Sequence, residues 1–230
     1  MTTPIQGICS MATRGLLDEL AAAYSQRAGV PVSFLSVGGV DAARRVNSGE
    51  EAFDVVALAS DAIDKLIAAG KLDAAAKVDI VRSGVGVAVP AGAQRPDVST
   101  GDAVRTAVRA AASIAYSTGP SGVALIALFE RWGMADELRD RLVLAPPGVP
   151  VGSLVARGDA ALGFQQMSEL IGVEGIQLLG PLPPEIQIVT TFSAAPAIGS
   201  EQPDAVRALL DFMVSADSVE SKRRHGMEPA

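Results

Sequence analysis

Residues 5–70 read IQGICSMATRGLLDELAAAYSQRAGVPVSFLSVGGVDAARRVNSGEEAFDVVALASDAIDKLIAAG, and their alternation decides the fold. The apolar, β-branched runs at 5–9, 30–37 and 54–59 carry strand patterning. Between and after them lie Ala-rich stretches with helical spacing at 13–27, 40–47 and 62–69. In the first, Leu16, Leu17, Leu20 and Tyr24 fall on one face. Thr13 is expected to cap it, because a threonine hydroxyl can accept from a first-turn N–H. Gly29 and Gly70 are expected to stop the first and third helices, since the left-handed stop position favours a residue without Cβ. Strand–helix alternation of this kind implies right-handed crossovers and a parallel sheet with helices on both faces.

Outward from this stretch the theme repeats. Strands are expected at 85–89, 113–116, 142–144 and 161–164, with helices at 104–111, 123–132 and 151–156. The Pro-rich run Gly180-Pro181-Leu182-Pro183-Pro184 reads as a surface turn, followed by a strand at 186–192. Helices at 203–213 and 218–224 close the chain, with Lys222, Arg223, Arg224 and His225 in the last turn before Gly226, where positive charge complements the helix end. No repeat, low-complexity tract or long linker separates the two α/β units, so strands near 83–90 and 188–196 are expected to cross between them. The expected architecture is α/β and two-lobed, with lobe 1 formed by 1–84 plus 195–230, lobe 2 by 85–194, and a ligand cleft between the lobes.

Composition narrows the chemistry. At ~150 residues per domain, 230 residues suggest one to two domains. With 49% hydrophobic and 20% charged residues the chain is not disordered, and with 4% aromatics its core must be built from Ala, Val, Leu and Ile. A net charge of −7 argues against nucleic acid or an anionic membrane as a partner. One cysteine, Cys9, excludes an intramolecular disulfide and a Cys-based metal cluster, and one histidine, His225, leaves little for other metal chemistry. No metal and no cofactor is therefore expected. No run approaches the ~18–20 apolar residues of a spanning helix, so membrane insertion is not expected. The start, MTTPIQGICSMATRG, has neither a basic leader region nor a long apolar one. The expected location is periplasmic if a leader has been removed and cytoplasmic otherwise. Walker, GxGxxG, GxSxG and HExxH motifs are absent from the sequence.

In open α/β sheets ligands lie at strand C-termini, where helix starts offer unpaired N–H groups to an anion. Four such junctions carry suitable residues. The first holds Ser10, Met11, Ala12, Thr13 and Arg14; the second Gly38 and Gly39; the third Thr118 and Ser121 within Ser117-Thr118-Gly119-Pro120-Ser121-Gly122; the fourth Gln165 and Gln166. Each also has a plainer reading: a capped loop at Ser121, a tight turn at Gly38-Gly39, solvated glutamines, a dipole-complementing surface carboxylate at Asp41. Cys9 reads as a small buried hydrophobe and His225 as a helix-end cation. Four junctions on one edge nevertheless point together to a small-molecule anion.

The segments SMATRGLLDELAAAYSQRAGVPV, RRVNSGEEAFDVVALAS, STGPSGVALIALFERWG, VARGDAALGFQQ and SADSVESKRRHGMEP, in this order, resemble the periplasmic molybdate-binding protein family over nearly the whole chain. The resemblance implies a two-lobed type II binding fold and the role of a solute-binding subunit, with a membrane permease as partner if the protein is exported. By position, the family's first hydroxyl ligand falls on Ala12, flanked by Ser10 and Thr13, and its second serine on Gly38-Gly39. Its backbone donors fall on Ser121 and on Gly148 or Val149, and its site-closing tyrosine on Gln166. These departures, with Arg14 as a counter-charge, suit a larger carboxylate better than a compact oxyanion. SMATRGLLDEL, SVGGVDAARRV, GFQQMSEL and GPLPPEIQIVTTFSAA are also similar to a branch that includes aconitate isomerase. That branch implies proton transfer α or γ to a carboxylate, which needs a base such as Asp41, Glu169 or a desolvated lysine, and no lysine lies at the four junctions.

Overall fold

The computed structural model describes residues 3–49 and 51–230. In chain order its elements are β1 (Ile5–Ser10), α1 (Arg14–Ala28), β2 (Val32–Val37), α2 (Gly39–Ser48), β3 (Val55–Ala59), α3 (Ser60–Ala68) and the long β4 (Val78–Pro90). There follow α4 (Gly101–Ala110), β5 (Ile114–Tyr116), α5 (Pro120–Arg131), α6 (Ala135–Leu138), β6 (Leu142–Leu144), α7 (Val151–Ala156), β7 (Leu162–Gln166) and α8 (Met167–Leu170). The chain ends through β8 (Ile176–Pro181), β9 (Val189–Pro196), α9 (Pro203–Val214), α10 (Val219–Arg224) and β10 (Met227–Pro229). It forms two compact units, Met1–Arg82 with Thr191–Ala230, and Ser83–Thr190.

In the first unit β1 lies between β2 and β3 and parallel to both, with Ile8 opposite Leu35 and Val56. β9 adds antiparallel to β3, Val56 opposite Ala195. β3 is buried at every position, as a central strand covered on both faces must be. The alternation of β1 divides the core. Ile5 and Cys9 pack with Leu17 of α1 and Leu209 of α9, whereas Ile8 packs with Val46 of α2 and Ile63 of α3. Cys9 is a buried core residue as expected, and burial pushes its thiol up to about 11. Gly29 ends α1 at φ 69°, its N–H donating to the Ser25 carbonyl at 3.0 Å.

In the second unit β5 is flanked in parallel by β6 and β7, with Ile114 opposite Leu142 and Leu162. β4 adds antiparallel to β7, Val87 opposite Phe164. Val85, Val87, Ile114 and Phe164 of the sheet pack against Val104 and Val108 of α4 and Leu125 and Phe129 of α5.

Several expectations need correction. Thr13 precedes α1 without capping it. Its backbone is already helical after the 3-10 turn Met11–Thr13, and its Oγ1 donates back to the Ser10 carbonyl at 3.1 Å. β4 begins at Val78 rather than 85, because Asp79 and Arg82 break the apolar run that its first half would otherwise show. β8 occupies a stretch to which no element is assigned from the sequence, before the Pro-rich run, and it pairs antiparallel with β4, Val89 opposite Gln177. The Pro-rich run is therefore not a surface turn. Gly180 and Pro181 finish β8, and Leu182 is 2% exposed with its N–H on the Val85 carbonyl at 2.9 Å. α5 begins at Pro120, whose missing N–H suits the first helical position. Of the basic residues closing α10, Lys222 is buried, and burial lowers its amine.

Glu19 ties α1 to α10. Its carboxylate accepts from Ser221 Oγ at 2.6 Å, from His225 Nε2 at 2.9 Å and from Arg224. The Ser221 hydroxyl, then His225 and Arg224, hold this carboxyl down to about 2 against the opposing effect of burial. A folded-state value below the unfolded one gives stability that is complete above the ordinary glutamate range and is lost as pH falls toward about 2. Glu19→Gln should cost about 1 kcal/mol at pH 7, a figure discounted for solvent screening of a partly exposed group. It should also flatten the acid limb of the stability curve, both read by denaturant unfolding across pH.

Candidate functional site

Because β1, β2 and β3 are parallel, their C-terminal ends share one edge of the first unit. At the end of β1, Ser10 is 6% exposed and its buried Oγ has no hydrogen-bond partner among the described residues. Met11 and Ala12 are half-buried and Thr13 is buried. Arg14, expected as a counter-charge, has a side chain 71% exposed, with Nε 3.7 Å from Asp18. At the end of β2, Gly38 leads into Gly39, the first residue of α2. The Gly38 carbonyl takes the Ala42 N–H at 2.9 Å, so the amides of Gly39, Val40 and Asp41 precede the helical ladder. A Cβ on Gly39 would lie 3.6 Å from Ser10 Cβ, which sets this helix start beside the Ser10 side chain.

Asp41 is removed as a base. Its carboxylate accepts from Arg44 at 2.7 Å and from Arg45 at 2.8 Å, and these guanidiniums, Arg44 first, hold it below the usual carboxylate range. A further junction, missed in the sequence, follows β3. Ser60 opens α3, and its Oγ accepts from Lys77 Nζ at 2.8 Å, with Asp64 at 2.6 Å from the same ammonium. Ala59-Ser60-Asp61 carried the same strand-then-hydroxyl signal as the other junctions, but nothing local pointed to Lys77.

In the second unit the parallel ends of β7, β5 and β6 again share an edge. After β5, the Gly119 carbonyl takes the N–H groups of Gly122 at 3.0 Å and Val123 at 3.2 Å. Pro120 has none, so the Ser121 N–H is the first-turn amide left for a ligand. Ser121 is 6% exposed and its Oγ lies 3.4 Å from that of Ser117, while Thr118 is exposed. After β6, the Val149 N–H is taken by the Pro146 carbonyl at 3.0 Å, leaving Gly148, at φ 79°, as the donor of that pair.

At the end of β7 the two glutamines are not solvated, each being 3% exposed. Gln165 Oε1 accepts from the Gly152 N–H at 3.3 Å. Gln166 Nε2 donates to Thr190 Oγ1 at 2.8 Å, and its buried Oε1 has no partner. Thr190 was not singled out from the sequence, because only the long-range path of β9 brings it to Gln166. Half-buried Glu169 follows on α8, where burial pushes its carboxyl up to about 7 against a lowering contact with Gln165.

Leaving a buried polar atom unpaired costs about 1–3 kcal/mol, so Ser10 Oγ and Gln166 Oε1 mark strand ends where a ligand or water has something to satisfy. Among the described residues no group of three or more His, Cys, Asp and Glu can hold a metal ion, and no helix is long and apolar enough to cross a membrane. Gly122 is fixed by space, since a Cβ there would sit 1.8 Å from the Ser117 carbonyl oxygen. Gly122→Ala should therefore displace the Ser117 loop and cost about 1–3 kcal/mol in denaturant unfolding.

A family model described as bacterial extracellular solute-binding protein matches residues 5–228. A protein named aconitate isomerase from a Pseudomonas species is 36% identical over 233 residues, covering 99% of this chain and 88% of its own. The periplasmic molybdate-binding protein of Azotobacter vinelandii has the same fold, with a TM-score of 0.81 and 18% identity over 98% of this chain and 99% of that one. The tungstate-binding protein of Desulfovibrio alaskensis gives a TM-score of 0.70 and 16% identity over 99% of each chain. With its α/β periplasmic binding-protein fold, this chain belongs to the bacterial extracellular solute-binding protein family.

Proposed function

We propose that the protein binds a small polycarboxylate anion at the donor-rich strand ends described above. The observation that carries this reading is the make-up of those edges. Ser10, Gly38, Gly39, Ser121, Gly148, Gln165 and Gln166 offer neutral hydroxyl, amide and backbone donors from several strand ends, and Gln166 stands where the resemblance places an oxyanion-closing tyrosine. A compact tetrahedral ion is enclosed by a few converging donors. Several carboxylates on one carbon skeleton need donors that are spread out, and the second Nε2 hydrogen of Gln166, the one not given to Thr190, can meet a carboxylate without adding charge. The net charge of −7 is no obstacle, since helix-start amides act at contact distance. The likeness to a protein named aconitate isomerase supports a tricarboxylate in particular.

A second reading is favoured by that same relative. The protein would isomerise an unsaturated tricarboxylate of the aconitate type, with the donors stabilising the enolate-like charge that develops when a proton leaves carbon. The two readings share the binding step and part only at the chemistry. A solute-binding role additionally calls for a permease as partner.

A thermal-shift panel separates the ligand classes: molybdate, tungstate, sulfate and phosphate against citrate, isocitrate, and cis- and trans-aconitate. A ligand at ~100 times its Kd should stabilise the fold by roughly 2.7 kcal/mol. Tricarboxylates should raise the midpoint, and a response confined to tetrahedral oxyanions would refute the carboxylate reading. Ser121→Pro and Gly39→Asp should each weaken binding by about tenfold or more, equivalent to about 1.4 kcal/mol. Unchanged affinity in both would remove these strand ends from the site.

A further inference from the structure

Resting on the isomerase reading, we infer that Glu169 is the group that takes a proton from one carbon of the substrate and returns it to another. Three features of the second unit carry this. The first is position, since α8 follows β7 without a break and Glu169 stands one turn beyond Gln165, at the strand end that also holds Gln166.

The second is the absence of charge around it. The main contacts of α8 are with β7 (Leu-Gly-Phe-Gln-Gln), α7 (Val-Gly-Ser-Leu-Val-Ala) and β8 (Ile-Gln-Leu-Leu-Gly-Pro), none of which carries an ionisable side chain. β4 also meets α8, at Gly86 beside Met167 and Leu170, while its charged Asp79 and Arg82 lie in the other half of the strand and are exposed. Glu174, beyond the helix, is exposed. The other carboxylates at helix starts on these edges are committed or solvated: Asp41 holds two guanidiniums, and Asp61 is 61% exposed beside Lys65. Glu169 has no such cation. A carboxyl in neutral, half-buried surroundings keeps its proton to about 7, where it is both a usable base and a usable acid.

The third is orientation. An N–H can only donate, so the Gly152 amide holds Oε1 of Gln165 toward α7 and leaves Nε2 as the Gln165 atom able to donate to Glu169, whose carboxyl Gln165 lowers. Gln165 is thus a positioning residue that anchors the ionised form.

The step balances without a co-reactant. The Glu169 carboxylate removes a proton from the methylene carbon next to the double bond. The C–H electrons become the new double bond to the central carbon while the old one shifts its electrons to the far carbon. Glu169 then gives the proton to that far carbon. One C–H bond breaks, one forms, and Glu169 ends as it began.

The test uses the full chain with trans-aconitate as the probe, following cis-aconitate by proton NMR and affinity by calorimetry. Glu169→Gln should keep affinity within about threefold and lose about 100-fold or more in turnover, which corresponds to about 2.7 kcal/mol of barrier. Glu169→Asp should recover part of the rate. Turnover by the unaltered protein should rise with pH through about 7, as the carboxylate form is the base, and Gln165→Leu should move that rise to higher pH. Undiminished turnover in Glu169→Gln overturns the role of Glu169 and leaves the isomerase reading standing. Binding without any interconversion by the unaltered protein overturns both. Should Glu169→Gln fail to fold, a pH-independent rate between pH 6 and 8 in the unaltered protein overturns the assignment by itself.

Discussion

A parallel strand that runs directly into a helix leaves two kinds of unsatisfied group at its end, the strand's last side chains and the helix's first N–H groups. Parallel strands cannot be joined by a hairpin, so each returning connection puts the next such junction on the same edge. In the first unit this gathers the ends of β1, β2 and β3, and in the second those of β7, β5 and β6. The candidate donors lie on these edges because of that constraint. The antiparallel additions, β9 on β3 and β4 on β7, run the other way and bring in residues that no local pattern announces. Thr190, at the start of β9, reaches Gln166 in this manner.

The charged residues near these edges are largely neutralised where they stand. Asp41 is held by Arg44 and Arg45, Arg14 lies beside Asp18, and Lys77 pairs with Asp64. What remains to meet an anion is a set of dipoles: amide N–H groups, serine hydroxyls and two glutamines. Fixed dipoles need no reorganisation when an anion arrives, whereas a mobile surface cation must be ordered and partly desolvated. Neutrality has a second consequence around α8. Without a cation to stabilise its ionised form, the Glu169 carboxyl is governed by burial, opposed only by one amide. A single property of the edge thus suits anion binding and raises the basicity of one carboxylate.

The alternation within residues 5–70 made the first unit legible, since apolar faces, strand lengths and the Gly29 stop are all local signals. β4 and β8 were harder. The front half of β4 is interrupted by the exposed Asp79 and Arg82, and Asp79 accepts from the buried Ser193 of β9 at 2.6 Å, a contact between distant segments. β8 ends in Gly180-Pro181, residues that read as a turn until β4 supplies a partner. Residue type and strand-end position were enough to single out Ser10, Gly39, Ser121 and Gln166 as candidates. The sequence did not reveal which donors were already spent. Val149 donates to Pro146, Thr13 donates to Ser10, and Asp41 is shared between two arginines, each a fact of side-chain or loop geometry.

The family resemblance and the residue chemistry meet at a narrow point. Under the proposed reading, what serves binding, donors facing carboxylates and small residues that let backbone approach closely, is also most of what a proton shift in an unsaturated acid demands. Fold alone does not decide between carrying such a ligand and converting it, because the same scaffold hosts both kinds of named relative. The distinction falls to a few atoms. Under the proposed chemistry no proton, electron or group is gained or lost overall, so the conversion asks for one group able to hold a proton briefly near neutral pH. A carboxyl kept neutral by its surroundings meets that demand. A carboxylate tied to two arginines, as Asp41 is, does not, because its ion pairs favour the charged form at every stage. On that reading, the step from binder to catalyst rests on which acidic side chain the surrounding elements leave without a counter-charge.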